Sequence, residues 1–231
     1  MCVWKLAICA IFFACGYPSV VAFPMEKIMT SLRLRFGRLA ALAILLSPLA
    51  VEAGDAAKAV SLAGNLCASC HGEDGNSLVP AFPKLAGQQA VYLLRELKDY
   101  KAGRRASEVM GPIVAGLTDE DLANLAAFYA SQKPAPGAAT EPGLLPVGKT
   151  LYLKGNARSG IPACDSCHEE SGAGDGKFPR VAGQNVEYAL EQFKLYAAGK
   201  RTNGTKVMQT IAERMTEQET RAIAEFMASM P

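Results

Sequence analysis

Apolar and polar positions change character at about residue 54. Before it, apolar residues form blocks with no helical or strand period, and after it they recur at helical spacing. The block Leu39–Ala50 is short for a membrane span, follows Arg33, Arg35 and Arg38, and leads into Val51-Glu52-Ala53, small residues at a cleavage spacing. Residues 1–53 are therefore expected to be an export leader cut after Ala53, which makes the mature protein periplasmic. A second apolar stretch, Met1 to Phe23, precedes it, yet Met25 and Met29 each suit the start of a conventional signal peptide, so translation is expected to begin at one of them. A retained anchor over residues 6–23 is the weaker reading, because its flanks are poor and Pro18 interrupts it.

From residue 54 onward the pattern predicts helices. A short helix over 55–66 leads into a cysteine motif, and Gln88 to Ala102 carries Val91, Leu94, Leu97 and Tyr100 before Gly103 as a helix stop. Thr118-Asp-Glu-Asp121 and Thr216-Glu-Gln-Glu219 both read as capping boxes. They open final helices expected to bury Leu122, Leu125 and Phe128 in one half, Ile223 and Phe226 in the other. No segment alternates convincingly enough for a sheet, so the fold class is all-α. Residues 132–146, rich in Pro, Ala and Gly, read as a semi-extended linker between domains at 54–131 and 147–231. Each domain has roughly 80 residues, a size at which a side-chain core alone is marginal.

Composition narrows the chemistry. The 231 residues carry 24 Lys plus Arg, 22 Asp plus Glu, two His and seven Cys, and removal of 1–53 leaves 19 basic against 20 acidic side chains. A near-neutral chain offers no electrostatic case for nucleic acid. Two histidines exclude any site that needs three. Four cysteines remain after the leader, and each lies in one of two C-x-x-C-H motifs, Cys67-Ala-Ser-Cys70-His71 and Cys164-Asp-Ser-Cys167-His168, which also use both histidines. Two thiols on one helical turn can each add to a vinyl group of haem, and the adjacent His then presents its imidazole to the iron. The spacing thus predicts two covalently bound haem c groups.

The motifs sit in a longer repeat. Phe82-Pro83-Lys84-Leu85-Ala86-Gly87-Gln88 answers to Phe178-Pro179-Arg180-Val181-Ala182-Gly183-Gln184, Tyr92 to Tyr188, Tyr100 to Tyr196, and Gly103-Arg104-Arg105 to Gly199-Lys200-Arg201. The spacing between equivalent positions lengthens just before the second motif, placing an insertion around Arg158 to Pro162 in a surface loop. Met110 is the only methionine between residue 54 and the linker. It precedes Gly111-Pro112, which reads as a loop, and is the candidate sixth ligand of the first iron. The repeat aligns Met208 with Met110 but Met215 with Leu117, so Met208 is the candidate for the second iron, while Met227 and Met230 read as packing residues.

With these motifs in place, the chain resembles the dihaem cytochrome c4 family over nearly all of 54–231. The resemblance implies two class I cytochrome c folds related by a pseudo-two-fold axis. It also implies an exported and peripherally membrane-associated carrier that passes electrons between the cytochrome bc complex and a terminal oxidase. It further implies that the carbonyls of Pro83 and Pro179 accept from the ring N–H of His71 and His168, fixing the tautomer of each. Val181 in place of Leu85 is a mild departure.

Rival readings fare less well on the sequence. A zinc tetrahedron of four thiolates suits neither the long gap between motifs nor the His after each pair. A thioredoxin-like dithiol lacks its strand-helix-strand frame. A peroxidase or a thiosulfate-oxidising enzyme would want a further His or Cys at an iron, and the remaining carboxylates are expected on helix caps and surfaces, so no enzymatic chemistry is expected. The alternative function is a haem subunit of a larger periplasmic dehydrogenase. Lys98, Lys101, Arg104, Arg105, Lys200, Arg201 and Lys206 read either as solvated helix ends or as groups facing an acidic partner or haem propionates.

Overall fold

A computed structural model of the chain describes residues 54–231, which belong to one compact unit. The expected leader, its cleavage point and the start at Met25 or Met29 lie outside the described residues.

The first half begins with α1 (Ala56–Leu62). The Asp55 carboxylate caps it by accepting from the Ala57 N–H at 2.9 Å. The helix runs on through a π turn (Ala63–Cys67) into α2 (Ala68–His71), so the first C-x-x-C-H motif straddles a local widening of the coil. Then come α3 (Ala90–Lys101), α4 (Met110–Ala115) and α5 (Asp119–Ser131). The second half repeats the order with α6 (Leu145–Lys154), α7 (Asp165–His168), α8 (Val186–Ala197), α9 (Lys206–Arg214) and α10 (Glu217–Ser229). Thr118 and Thr216 both form complete capping boxes, with Asp121 and Glu219 returning the bond to the cap N–H.

In each half the first and last helices cross, α1 on α5 and α6 on α10, and the third helix packs on the last. A Cβ at Gly148 of α6 would lie 2.1 Å from the Ala222 carbonyl oxygen of α10, so only glycine permits that crossing. The cores are small. Ala59, Ala63, Leu93, Leu125, Ala126 and Tyr129 make the first, while Leu151, Tyr152, Ile223, Ala224, Met227 and Met230 carry most of the second. Phe128 and Phe226 pack against these clusters half-buried. Among the described residues the only ladder pairing is one isolated antiparallel bridge, Asn156 with Ile161, which closes the inserted loop.

Several expectations need correction. The extended linker is shorter than its proline content suggests. A 3₁₀ turn over Pro142–Leu144 and α6 from Leu145 take its last residues, because Pro142 and Pro146 fall in first-turn positions where a missing N–H costs nothing. The remainder is tied down, since Glu225, fully buried, accepts from the backbone N–H groups of Thr140 and Glu141, and Asn76 bonds Lys133 and Ala135. On α3, Val91 is 69% exposed, and the buried positions are Leu93, Glu96 and Asp99. Three carboxylates expected at the surface, Glu96, Asp99 and Glu225, are therefore interior.

Candidate functional site

Both cysteine motifs open into one cavity of about 950 Å³, lined from both halves. Cys67, Cys70 and His71 line it from α2 and the preceding π turn, Cys164, Cys167 and His168 from α7 and the residue before it. His71 Nδ1 donates to the Pro83 carbonyl at 2.9 Å, and His168 Nδ1 donates to the Pro179 carbonyl at 2.9 Å. A carbonyl can only accept, so Nδ1 carries the proton and Nε2 keeps a free lone pair. Burial holds both imidazoles below their ordinary pKa and hence neutral at pH 7, the form in which a His can bind iron. Phe82 and Phe178 flank the two imidazoles with ring centroids 6.2 Å away.

None of the four thiols is in a disulfide, and burial pushes Cys67 up and Cys164 up to about 11. Among the described residues no group of three or more His, Cys, Asp or Glu is placed together as a metal cluster. The backbone leaves each motif through a left-handed residue, Gly72 at φ 79° and Glu169 at φ 65°. Glu169 is the only non-glycine so placed among the described residues, and Tyr152 holds the turn by donating its hydroxyl to the Glu169 carbonyl at 2.7 Å.

Met110 and Met208 are half-buried and line the same cavity. Neither lies on a loop. Met110 opens α4, with its N–H donating to Ser107 Oγ at 3.0 Å, and Met208 sits in the first turn of α9. Gly111-Pro112 misled because Pro112 falls in the first turn of α4, where backbone N–H groups have no intrahelical partner to lose. Met227 and Met230 are core residues, and Met215 packs half-buried against that core. The donor set of each half is thus two thiols, one imidazole with Nε2 free and one thioether, set in a mostly apolar cradle that includes Leu93, Leu97, Leu125, Phe193 and Ile223. These residues suit a covalent haem, whose flat apolar faces would fill a cavity that the small cores leave open.

Between the halves runs a buried polar seam that the repeat pattern did not announce. Arg105 and Arg201, 6% and 5% exposed, both reach Glu96 Oε2, at 2.8 and 3.2 Å, and both reach Gln192 Oε1, at 2.8 and 2.9 Å. The contacts are reciprocal across the repeat. Arg105 donates to the Tyr188 hydroxyl at 3.0 Å and Arg201 to the Tyr92 hydroxyl at 2.9 Å, while each guanidinium lies 4.6 Å above the ring of its own half, Tyr100 or Tyr196. Such pairing of equivalent residues is what a pseudo-two-fold axis produces. Asn203 adds bonds to Glu96 and Asp99. The basic residues read together in the sequence therefore separate: Arg105 and Arg201 are interior, whereas Lys101, Arg104, Lys200 and Lys206 are exposed.

A duplicated helical cradle, each half supplying C-x-x-C-H and a methionine that lines the same cavity, defines a c-type cytochrome with two haem sites. The cytochrome c family model matches residues 56–133 and again 147–231. Cytochrome c4 of Pseudomonas aeruginosa is 40% identical over 210 residues, covering 89% of this chain and 100% of that protein. The crystal structure of reduced recombinant cytochrome c4 from Pseudomonas stutzeri superposes with a TM-score of 0.74 at 35% identity, covering 78% of this chain and 100% of the other. A protein of Stutzerimonas stutzeri named as a thiosulfate dehydrogenase electron acceptor is 36% identical, covering 83% of this chain and 94% of its own length. The chain belongs to the cytochrome c4 family. It is a dihaem electron carrier with two covalently bound haem c groups.

Proposed function

We propose that Cys67 and Cys70 bind the first haem and Cys164 and Cys167 the second, with His71 and Met110 closing the first iron and His168 and Met208 the second. Pro83 and Pro179 would orient the two histidines. The observation that carries this is the convergence of both complete donor sets on one cavity, with each Nδ1 occupied by a proline carbonyl. A thioether favours ferrous iron and raises the potential, which suits a donor to an oxidising partner. His71 with Met110 and His168 with Met208 would hold the two irons and leave no position for a substrate, and the haems would supply outer-sphere electron exchange, so the protein is a carrier and not an enzyme. It works in the periplasm, between the cytochrome bc complex and a terminal oxidase. Among the described residues no helix is long and apolar enough to cross a membrane. The resemblance to cytochrome c4 supports peripheral association with membrane complexes.

A second partner class is favoured by one observation, the similarity to the electron acceptor of a thiosulfate dehydrogenase. In that reading the chain collects electrons from a periplasmic dehydrogenase. The test is a redox titration of the exported protein with its intact mass. Two haem additions, two reversible electrons per chain and no sustained turnover of peroxide or thiosulfate are expected. A bare polypeptide mass, a zinc adduct or steady turnover would end the reading.

A further inference from the structure

We propose that Gln184 and Gln88 are positioning residues acting in trans: each holds the peptide group that orients the iron-binding histidine of the opposite half. The inference rests on the haem ligation proposed above. The Pro83–Lys84 peptide is bonded at both ends. Its carbonyl accepts from His71 Nδ1 at 2.9 Å, and its N–H donates to Gln184 Oε1 at 2.9 Å, from the other half of the molecule. Gln184 Nε2 then donates to the Lys84 carbonyl at 3.0 Å, so one amide clasps the residue from both sides. The mirror arrangement is complete. The Pro179 carbonyl accepts from His168 Nδ1 at 2.9 Å, the Arg180 N–H donates to Gln88 Oε1 at 2.8 Å, and Gln88 Nε2 donates to the Arg180 carbonyl at 2.9 Å.

Only one orientation of each amide satisfies both bonds, and it is reinforced because Gln184 Oε1 also accepts from the Asn185 N–H and Gln88 Oε1 from the Gln89 N–H. Within its own half the loop is held on either side of this peptide, where the Phe82 N–H donates to the Val79 carbonyl and the Leu85 and Ala86 N–H groups donate to the Gly75 carbonyl, but the Lys84 N–H is held by Gln184. Hydrogen bonds in series polarise one another. An acceptor on the Lys84 N–H makes the Pro83 oxygen a better acceptor for His71, which makes that imidazole a stronger electron donor to its iron and lowers the potential of the first haem. Gln88 acts in the same way on the second.

The experiment uses full-length, haem-loaded protein. Met110→Ala and Met208→Ala, each opening one haem to cyanide, assign the two potentials and the two sets of haem signals. Gln184→Leu is then expected to raise the potential of the His71 haem, and to speed solvent exchange of the His71 ring N–H by NMR, while the His168 haem stays put. Gln88→Leu should do the reverse. Gln184→Glu, which presents a charged acceptor to the same N–H, should lower the potential of the His71 haem and serves if the leucine variant does not fold. A purely structural role would loosen the interface and move both haems together. Equal shifts, a shift confined to the haem of the mutated half, or no shift overturns the inference. Wrong ligation would already be visible in the spectra of the unmodified protein, whereas this inference fails only through which haem responds.

Discussion

Replacing Glu96 with leucine tests the seam that joins the halves. Glu96 Oε2 accepts from Arg105 at 2.8 Å, Arg201 at 3.2 Å and Asn203 at 2.8 Å, and all four side chains are under 9% exposed. Leucine removes the only carboxylate among the described residues that touches both buried guanidiniums, leaving them Gln192, two tyrosine hydroxyls and, for Arg201, Asn203 Oδ1. Asp99 does not replace it, because it is engaged by Arg104 and Asn203. Stranding a buried charge costs about 3–5 kcal/mol, far more than the ~1 kcal/mol of an exposed pair. For a chain of this size each kcal/mol lowers Tm by about 2–4 °C, so a fall of about 6–20 °C is expected in thermal unfolding followed by circular dichroism. Glu96→Gln, which retains acceptors, should lose less. Adding Arg201→Met to Glu96→Leu should recover part of the loss, a coupling above ~1 kcal/mol in a double-mutant cycle. A loss below ~1 kcal/mol for Glu96→Leu would refute the reasoning, since the arginines would then be hydrated or neutralised by another group.

The axial assignment makes a paired prediction: Met110→Ala and Met208→Ala should each open a different haem to cyanide or carbon monoxide and lower its potential, whereas Met215→Leu should leave both spectra unchanged. Loss of the second haem's methionine signature in Met215→Leu would move the ligand to that residue. Thr118→Ala and Thr216→Ala each remove a helix cap whose side chain accepts from the N3 backbone N–H, and about 1 kcal/mol should be lost from each by urea denaturation, with both haem potentials unmoved.

How much was legible from the sequence depends on whether a residue's partner lay within its own repeat. The helices α1, α3, α5 and α10, the capping boxes at Thr118 and Thr216 and both C-x-x-C-H motifs were readable because their signals are local, set by spacings of one to four residues. The face of α3 was read only in part, since Leu94 and Leu97 pack against the first core while Val91 is exposed. Its apolar stripe pointed to Val91, Leu94 and Leu97, but the helix packs on two fronts, and the front carrying Glu96 and Asp99 meets the other half. A helix face that buries charge against a distant partner looks like a solvated face until that partner is in place. Gln88 and Gln184 stood inside the most obvious repeated segment, and repetition alone could not say that each serves its sister half. What distinguishes the halves was also visible without being interpretable: Glu96 of the first answers to Gln192 of the second, so the pseudo-two-fold axis carries one carboxylate and one amide between two arginines. A second glutamate there would put two carboxylates side by side in the interior, and a second glutamine would leave both arginines without a counter-charge. The departure from exact repetition at this position is therefore what allows two equivalent arginines to be buried at one interface.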